Sequence, residues 1–348
     1  MALFQALLAV FVVSLFTPLV IRRAYAASFI SSPYHRIELT IPVHVSTDTA
    51  TFAYDTPQNQ TQLTGLIQEA FSATSNLSAL QIGTVPLVAS YNIYAELFVP
   101  NGWNTTGTGV LEFTVHGLTL DHTYWYINGP GSDLNYVEAS INAGNAIFVF
   151  DRLGNGKSDK PDGIKEVQMS VHIAVVEALI SFLRNTGVEG FSFKRMVGVG
   201  HSYGSNILAN LIAINANVFD ALVLTGFTMD TQATPTVTAS LAFAIASQVN
   251  RTAFGSLSNS YTTPESSINL HQAFFHFPDF PQSALDFLLE HRGVITVGEV
   301  LTLGQTLSTV VPNFTAPLLI VTADKDMCVS LFPYITASTT YFTVQVRM

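Results

Sequence analysis

The chain has 348 residues, which is enough for one large α/β domain with an insertion or for two small domains. Hydrophobic residues make up 48% of the chain and charged residues only 11%, so it can bury a sizeable core. The net charge is -10 and most lysines and arginines are scattered singly, which argues against nucleic acid as a partner because no basic patch is available.

The first 26 residues predict a secretory signal peptide, so we expect a secreted protein. Leu3–Ile21 is almost wholly apolar, and Ala24-Tyr25-Ala26 forms a small-x-small cleavage site. Arg22-Arg23 follows the apolar run and no basic residue precedes it, which leaves an uncleaved membrane anchor as an alternative. A buried core helix is the third interpretation. If the segment is cleaved, no stable membrane association is expected.

Potential glycosylation sites agree with export. Five N-x-[ST] sequons follow the apolar segment and together indicate a glycoprotein, although a composition rich in Thr, Ser and Asn would also generate them. They are Asn59, Asn76, Asn104, Asn250 and Asn313. Cys328 is the single cysteine of the sequence, so the chain can form no internal disulfide.

Residues 27–108 form an N-terminal region of strands and connections. Arg36–Val45 has the alternation of a strand, Thr61–Phe71 has the apolar spacing of a short helix, and Tyr91–Val99 is a second strand. These pieces predict antiparallel strands ahead of a parallel sheet.

Strands and helices alternate in the core, residues 109–227, and again in the C-terminal part, residues 296–348. A helix is predicted over Glu166–Arg184, and apolar runs predict strands at Val110–Val115, Ala146–Phe150, Met196–Val199, Ala221–Leu224 and Leu318–Val321. Continuous apolar strands in a βαβ series predict an α/β fold with a mostly parallel central sheet and helices on both faces. Ligands then bind at the carboxyl ends of the strands.

Residues 228–295 interrupt this series and predict a helical lid or cap insertion. The segment contains an apolar helix at Ala239–Val249, an aromatic cluster and a helix at Ser283–His291. The aromatic cluster, which consists of Phe274, Phe275, Phe277 and Phe280, could line an apolar site for an acyl or aryl group. It could equally pack the insertion onto the domain.

The stretch Phe193–Ile214 carries the main functional signal. An apolar strand leads into Gly200-His201-Ser202-Tyr203-Gly204, and an apolar helix follows. This strand–G-x-S-x-G–helix context is that of a nucleophile elbow, which holds the Ser202 hydroxyl above the sheet edge. The turn also directs the backbone N–H of Tyr203 and the positive end of the helix toward a developing oxyanion. The alternative is a glycine-rich turn that merely closes a βα unit.

Three further motifs follow predicted strands. His116-Gly117-Leu118 ends the first core strand, where Leu118 can supply a second oxyanion-hole N–H and His116 shapes the loop. Residues 151–158 form a tight loop that lacks the third glycine of a dinucleotide fingerprint, and we interpret Asp151 as structural. Asp324 and Asp326 follow the late strand, where the carboxylate of a Ser–acid–His triad belongs.

These ordered motifs resemble the α/β-hydrolase superfamily (AB hydrolase-1 type) over about residues 90–330. The phrase VHGLTLDHTYW, residues 115–125, and the D-R-L-G-x-G-x-S loop are similar to those of fungal-type secreted serine hydrolases. The resemblance implies hydrolysis of a carboxylic ester or related acyl bond of a small molecule, with Ser202 as nucleophile and no cofactor or metal. The family's Gly-x-x-Asp pattern favours Asp326 over Asp324. A serine at this position argues against epoxide hydrolases and haloalkane dehalogenases, which the family builds with Asp.

The sequence departs from the family at the triad histidine, which should follow the acid. None of the nine histidines follows Asp326, and Tyr341–Val346 resembles the final strand, after which the His loop should begin. We expect either a serine hydrolase whose C-terminal end is incomplete or a catalytically silent protein that binds with the same fold. His201 flanks the nucleophile and should point away from it. His271, His276 and His291 belong to the predicted lid or its exit.

Overall fold

The structure is a computed structural model that describes residues 33–72, 77–103, 109–228, 233–303, 313–323, 325–327 and 341–346, the last for the backbone alone. The signal segment, Asp324, Cys328 and two of the sequons, Asn76 and Asn104, lie outside the described residues. Within the described part, no helix combines the length and apolar character needed to cross a bilayer.

The described strands form a large sheet and a small one. In chain order they are β1 Tyr34–Phe52, β2 Gln81–Pro100, β3 Val110–Val115, β4 Ala146–Phe150, β5 Arg195–His201, β6 Ala221–Thr225, β7 Ala244–Ile245, β8 Tyr261–Thr263, β9 Ile295–Thr296, β10 Leu318–Ala323 and β11 Tyr341–Val346. The eight-stranded sheet has the order β1-β2-β4-β3-β5-β6-β10-β11, and β7, β8 and β9 form the three-stranded one.

The helices connect these strands. They are α1 Gln60–Phe71, α2 Leu77–Leu80, α3 Tyr136–Asn142, α4 Met169–Asn185, α5 Tyr203–Ile214, α6 Thr234–Leu241, α7 Ala246–Val249, α8 Arg251–Phe254, α9 Ser267–Phe274, α10 Gln282–Glu290 and α11 Val297–Thr302. A short 3-10 helix covers His122–Trp125. The helix predicted from Glu166 begins three residues later, at Met169, and its cap residue Gln168 instead exchanges hydrogen bonds with the backbone of Ala50.

The large sheet is antiparallel at one edge and parallel elsewhere, as the sequence predicts. β1 pairs antiparallel with β2 along almost its whole length, from Tyr34 opposite Pro100 onward, and β2 pairs antiparallel with β4. The remaining neighbours in the large sheet, in the order β4, β3, β5, β6, β10 and β11, all pair parallel. The carboxyl ends of β3, β5, β6 and β10 therefore meet at one edge of the sheet.

Helices cover both faces of the sheet. On one face, the apolar sides of α4 and α5 pack against Leu111, Phe113 and Val115 of β3 in the main core cluster. On the other face, α3 and Trp125 pack against Val110 of β3 and the alternate residues of β4 and β5. Because β3 and β4 are buried along their full length, continuous apolar runs could specify them without alternation.

The predicted helix over Ala239–Val249 is wrong. α6 ends at Leu241, Ala242 adopts a left-handed conformation with φ of 44°, and Ala244–Ile245 pairs as strand β7 with β8. The backbone of β8 thus takes hydrogen bonds that a continuous helix would have made internally. The helix predicted at Ser283–His291 is confirmed as α10, within one residue at each end. That residues 228–295 act as a lid stays a prediction.

Candidate active site

Ser202 occupies a sharp turn between β5 and α5. Its backbone has φ of 52° and ψ of -117°, a combination that costs a non-glycine residue about 1–3 kcal/mol. The turn is anchored because the N–H of Ser202 donates a 2.9 Å hydrogen bond to the carbonyl oxygen of Thr225, the last residue of β6. The Ser202 side chain remains partly exposed. The sequence-predicted elbow is therefore present in the backbone as well as in the motif.

Two glycines allow this turn to close. A β-carbon at position 200 would lie 2.6 Å from the Cα of Ser205, inside the first turn of α5. One at position 204 would overlap the carbonyl oxygen of Val115 and lie 2.8 Å from that of His116. Such distances are far below an ordinary carbon contact of ~3.5 Å. The end of β3 and the start of α5 are thus in direct backbone contact.

This contact brings the loop after β3 and the start of α5 together at Ser202. A β-carbon at position 117 would lie 3.1 Å from the Cβ of Ser202, so the loop that carries Leu118 runs along the nucleophile candidate. Tyr203 is the first residue of α5, where backbone N–H groups have no partner within the helix. The Gly117 loop and the start of α5 therefore both lie against Ser202, and the oxyanion-hole role of Leu118 and Tyr203 stays a prediction.

His116 shapes the loop after β3, in agreement with its structural interpretation. The fully buried ring accepts a 3.1 Å hydrogen bond from the N–H of Arg152 at Nε2 and contacts the carbonyl oxygen of Gly117 through Nδ1 at 2.9 Å. Burial, together with the charge of Arg152, holds the pKa of His116 well below its usual value. A neutral ring with its proton on Nδ1 satisfies both contacts.

Asp151 is likewise structural. Its buried carboxylate accepts hydrogen bonds from the backbone and ring of His122, at 2.9 and 2.7 Å, and from the N–H of Lys157 at 2.7 Å. The other ring nitrogen of His122 lies 3.3 Å from Glu96. Burial opposes a charge on His122, but the hydrogen bonds to Asp151 and Glu96 outweigh it and raise its pKa to about 10. Ligand atoms of Asp121, His122 and Asp151 are close enough to one another to hold a cation. The protonated ring of His122, however, has no free lone pair with which to bind a metal ion.

Asp326 lies just beyond β10, at the same sheet edge as the elbow. Its Oδ2 is 3.8 Å from the position that a β-carbon on Gly226 would take, and Cε1 of His201 is 3.3 Å from that same position. Asp326 also contributes, after burial, to a raised pKa of Tyr124, whose ring stacks on His201 at 4.6 Å. The acid candidate thus faces the neighbourhood of His201 and Tyr124.

Each histidine near the site or in the predicted lid has another partner. The Nδ1 of His201 lies 3.0 Å from Oγ1 of Thr225, and burial lowers its pKa to about 4. His276 contacts Asp279 at 2.8 Å, and His291 contacts the carbonyl oxygen of Phe287 at 2.9 Å. The ring of His271 packs on Phe280. Among the described residues, no hydrogen bond joins a histidine to Ser202.

A second buried cluster, which the sequence analysis missed, lies beneath the elbow. We call Arg152, His172 and Glu299 the buried ion cluster. Arg152 donates from Nη1 to Glu299, and Nε2 of His172 lies 3.0 Å from the same carboxylate oxygen. The guanidinium of Arg152 also lies over the ring of Tyr203. The D-R-L-G motif contained a signal for Arg152, whereas nothing in the sequence paired it with a glutamate 147 positions away.

Comparison with known proteins agrees with this geometry. A family model described as the alpha/beta hydrolase fold matches residues 113–333, more than half of the chain. A search of curated proteins finds no match. Among solved structures, a protein from Rickettsia typhi proposed to be a hydrolase is 12% identical over 90% of this chain and 91% of that one, with a TM-score of 0.51.

Two further solved structures have lower similarity. A thermophilic esterase from Thermogutta terrifontis is 14% identical over 74% of this chain and 85% of that one, with a TM-score of 0.45. Epoxide hydrolase A from Mycobacterium thermoresistibile is 15% identical over 73% of this chain and 88% of that one, with a TM-score of 0.44. At such identities the likeness concerns the fold alone, and the nearer resemblance to fungal secreted hydrolases stays a prediction.

Proposed function

Because the chain belongs to the α/β-hydrolase-fold family, we propose that it is a serine hydrolase acting on a carboxylic ester or a related acyl bond of a small molecule. The observation that carries this proposal is the elbow itself. Ser202 keeps a costly backbone conformation, is partly exposed, and lies against the loop after β3. Strain maintained at one partly exposed serine is typical of a functional site.

Each residue has a distinct role in the proposed reaction. The Oγ of Ser202 attacks the acyl carbon, and the N–H groups of Leu118 and Tyr203 stabilise the oxyanion that forms on the carbonyl oxygen. Asp326 would orient an imidazole that takes the Ser202 proton and returns it to the leaving group, after which a water would hydrolyse the acyl-enzyme and free Ser202. No cofactor takes part in these steps. Esters, lactones, amides and thioesters share this chemistry, so the substrate class is set by groups beyond the elbow.

A catalytically silent binding protein is the second candidate, and a specific observation favours it. Among the described residues, His201, His276 and His291 are each held by other groups, and none is hydrogen-bonded to Ser202. Without a base, Ser202 remains a neutral alcohol and a poor nucleophile. Loss of the histidine in a serine protease costs about 10⁶ in rate, while binding and the oxyanion hole persist. We therefore expect low activity from the chain as it stands.

Labelling by a fluorophosphonate probe, combined with turnover of p-nitrophenyl butyrate, tests the proposal. Ser202→Ala should abolish both signals. Ser205→Ala is the matched control, because Ser205 lies one turn further along α5 with its hydroxyl bonded to the carbonyl oxygen of Thr225 at 2.9 Å. Labelling that disappears with Ser202 and survives loss of Ser205 supports the hydrolase.

Absence of labelling in the wild type favours the silent protein or an incomplete hydrolase. Adding a histidine-bearing segment after Val346, the end of β11, separates these two alternatives. Recovery of labelling indicates a hydrolase that needs this segment, and continued silence indicates a binding protein.

We further propose that the protein is secreted after cleavage behind Ala26, which N-terminal sequencing of material from a eukaryotic secretion host tests directly.

A further inference from the structure

The buried ion cluster contacts the peptide group between Gly117 and Leu118 and the ring of Tyr203. Arg152, His172 and Glu299 are at most 2% exposed, so water screens the ion pair between Arg152 and Glu299 only weakly. Glu299 is fixed in place, because its second oxygen accepts the N–H of Thr296 at 2.9 Å at the start of α11. The hydrogen bonds and positive neighbours outweigh burial and lower the pKa of Glu299 to about 2. Arg152 is therefore a charged group with a fixed counter-ion.

The first contact fixes the peptide that carries one donor. Nη2 of Arg152 donates a 3.1 Å hydrogen bond to the carbonyl oxygen of Gly117, to which Nδ1 of His116 also donates. This oxygen and the N–H of Leu118 belong to the same planar peptide group, and in a trans peptide they point in opposite directions. Two donors on the oxygen therefore hold the Leu118 N–H on the other side. The positive charge of Arg152 next to this oxygen also polarises the peptide group and strengthens the Leu118 N–H as a donor.

The second contact concerns Tyr203. The guanidinium carbon of Arg152 lies 4.9 Å from the centre of the Tyr203 ring, and the ring of His172 meets it edge-on at 5.8 Å. Tyr203 is only 1% exposed and is the first residue of α5, so its ring position is coupled to that of its backbone N–H. One side chain therefore contacts both the peptide group that contains the Leu118 N–H and the side chain of Tyr203.

We propose that Arg152 is a positioning residue that holds the Leu118 and Tyr203 backbone donors in register to form an anion-binding site beside Ser202. The assignment of this site to catalysis rests on the proposed function. Arg152 does not touch the substrate. It acts through the Gly117 peptide and the Tyr203 ring, and Glu299 keeps its guanidinium in the geometry that reaches both. A lysine preserves the charge but lacks the planar fork that contacts Glu299 and Gly117 together.

Binding of butyrate, a carboxylate anion, tests the proposal without requiring turnover. We would follow the backbone amide signals of Leu118 and Tyr203 by NMR during a butyrate titration of the full chain. Arg152→Lys and the double variant Arg152→Met/Glu299→Gln are compared with the wild type. The double change leaves no buried carboxylate without its cation. Arg184→Met is the control, because Arg184 also donates to a backbone carbonyl, that of Val218, at 2.7 Å.

The expected result is that butyrate shifts both amide signals in the wild type and in Arg184→Met. In the two Arg152 variants its dissociation constant rises at least about tenfold, since small misplacement of such groups has large effects. In an active preparation, kcat falls by a similar factor while KM stays within about twofold. A purely structural role would instead lower the fraction of folded protein, which circular dichroism measures, and leave butyrate affinity per folded molecule unchanged.

Two results would overturn the proposal. One is a folded Arg152→Lys variant that binds butyrate as the wild type does, and the other is a wild type in which butyrate leaves both amide signals unmoved. If the double variant does not fold, the lysine variant decides. The proposed function fails separately: butyrate binding that depends on Arg152 in a protein whose Ser202 is never labelled would retain the positioning role and reject the hydrolase.

Discussion

Replacement of Gly204 by alanine is the sharpest test of how β3 and the elbow fit together. The new methyl group would overlap the carbonyl oxygen of Val115 and lie 2.6 Å from its carbonyl carbon and 2.8 Å from the carbonyl oxygen of His116. These are buried backbone atoms at the carboxyl end of β3, so no side chain can rotate away to make room.

The magnitude follows from the displacement required. Restoring an ordinary contact of ~3.5 Å to the carbonyl oxygen of Val115 needs the end of β3 and the start of α5 to separate by roughly 1.5 Å. Overpacking of this kind in a core costs about 3 kcal/mol or more. The separation also moves the loop that carries Leu118 away from Tyr203. We therefore expect lower stability together with loss of fluorophosphonate labelling at Ser202.

Urea unfolding followed by fluorescence measures the free energy of unfolding, and Gly65→Ala provides the matched control. Gly65 is exposed in the middle of α1, and a β-carbon there would meet no atom within 4 Å. This control should gain about 0.5–1 kcal/mol from helix propensity. A Gly204→Ala variant that unfolds with the wild-type free energy would refute the backbone contact between Val115 and the elbow, and with it the reason for the glycine.

Three further predictions follow from strain and buried charge. Ser202→Gly should raise the free energy of unfolding, measured in urea, by about 1 kcal/mol, because glycine accepts φ of 52° without strain. The same change should abolish fluorophosphonate labelling. A lower free energy of unfolding would contradict a strained backbone at Ser202. The pKa of His122 is raised to about 10 against 6.5 when unfolded, so the stability contributed by its contacts with Glu96 and Asp151 is complete below pH 6.5 and is lost as pH rises through 10. In urea unfolding experiments, the free energy of unfolding should decline by up to about 4 kcal/mol between pH 6 and 9.5, and His122→Gln should lack this decline. Burial raises the pKa of Glu112, so its contribution falls as pH rises above 4.5. The free energy of unfolding of Glu112→Gln should match that of the wild type at pH 4.5 and exceed it at pH 7.5. An equal loss at both pH values would argue against a raised pKa of Glu112.

The central strands are the elements that the local sequence pattern predicts best. β3 and β4 match the predicted ranges residue for residue, because each is a short apolar run that the parallel sheet buries on both faces. β1 was predicted only from Arg36 to Val45 but extends from Tyr34 to Phe52. Its additional residues include polar ones, and their pairing with β2, rather than their composition, makes them a strand.

The insertion shows where local pattern misleads. The apolar spacing of Ala239–Val249 suits a helix, yet Ala244–Ile245 pairs with β8 and the chain turns at Ala242. Helix propensity is worth only a few tenths of a kcal/mol per residue, so a pairing partner supplied by distant sequence can outweigh it. No feature within the eleven residues could have indicated this partner.

Contiguous stretches of sequence were enough to predict the family, the elbow at Ser202, the loop after β3 and the positions of the core strands along the chain. These features depend on contiguous residues, namely apolar runs, glycines two positions from a serine, and motifs at strand ends. Which charges meet in the interior depends on the three-dimensional fold. The contacts of Arg152 with Glu299 and Gly117, and of His122 with Glu96 and Asp151, join segments far apart in the chain. In the sequence such residues look like ordinary polar positions, because burial and pairing arise only when the sheet brings its strands together.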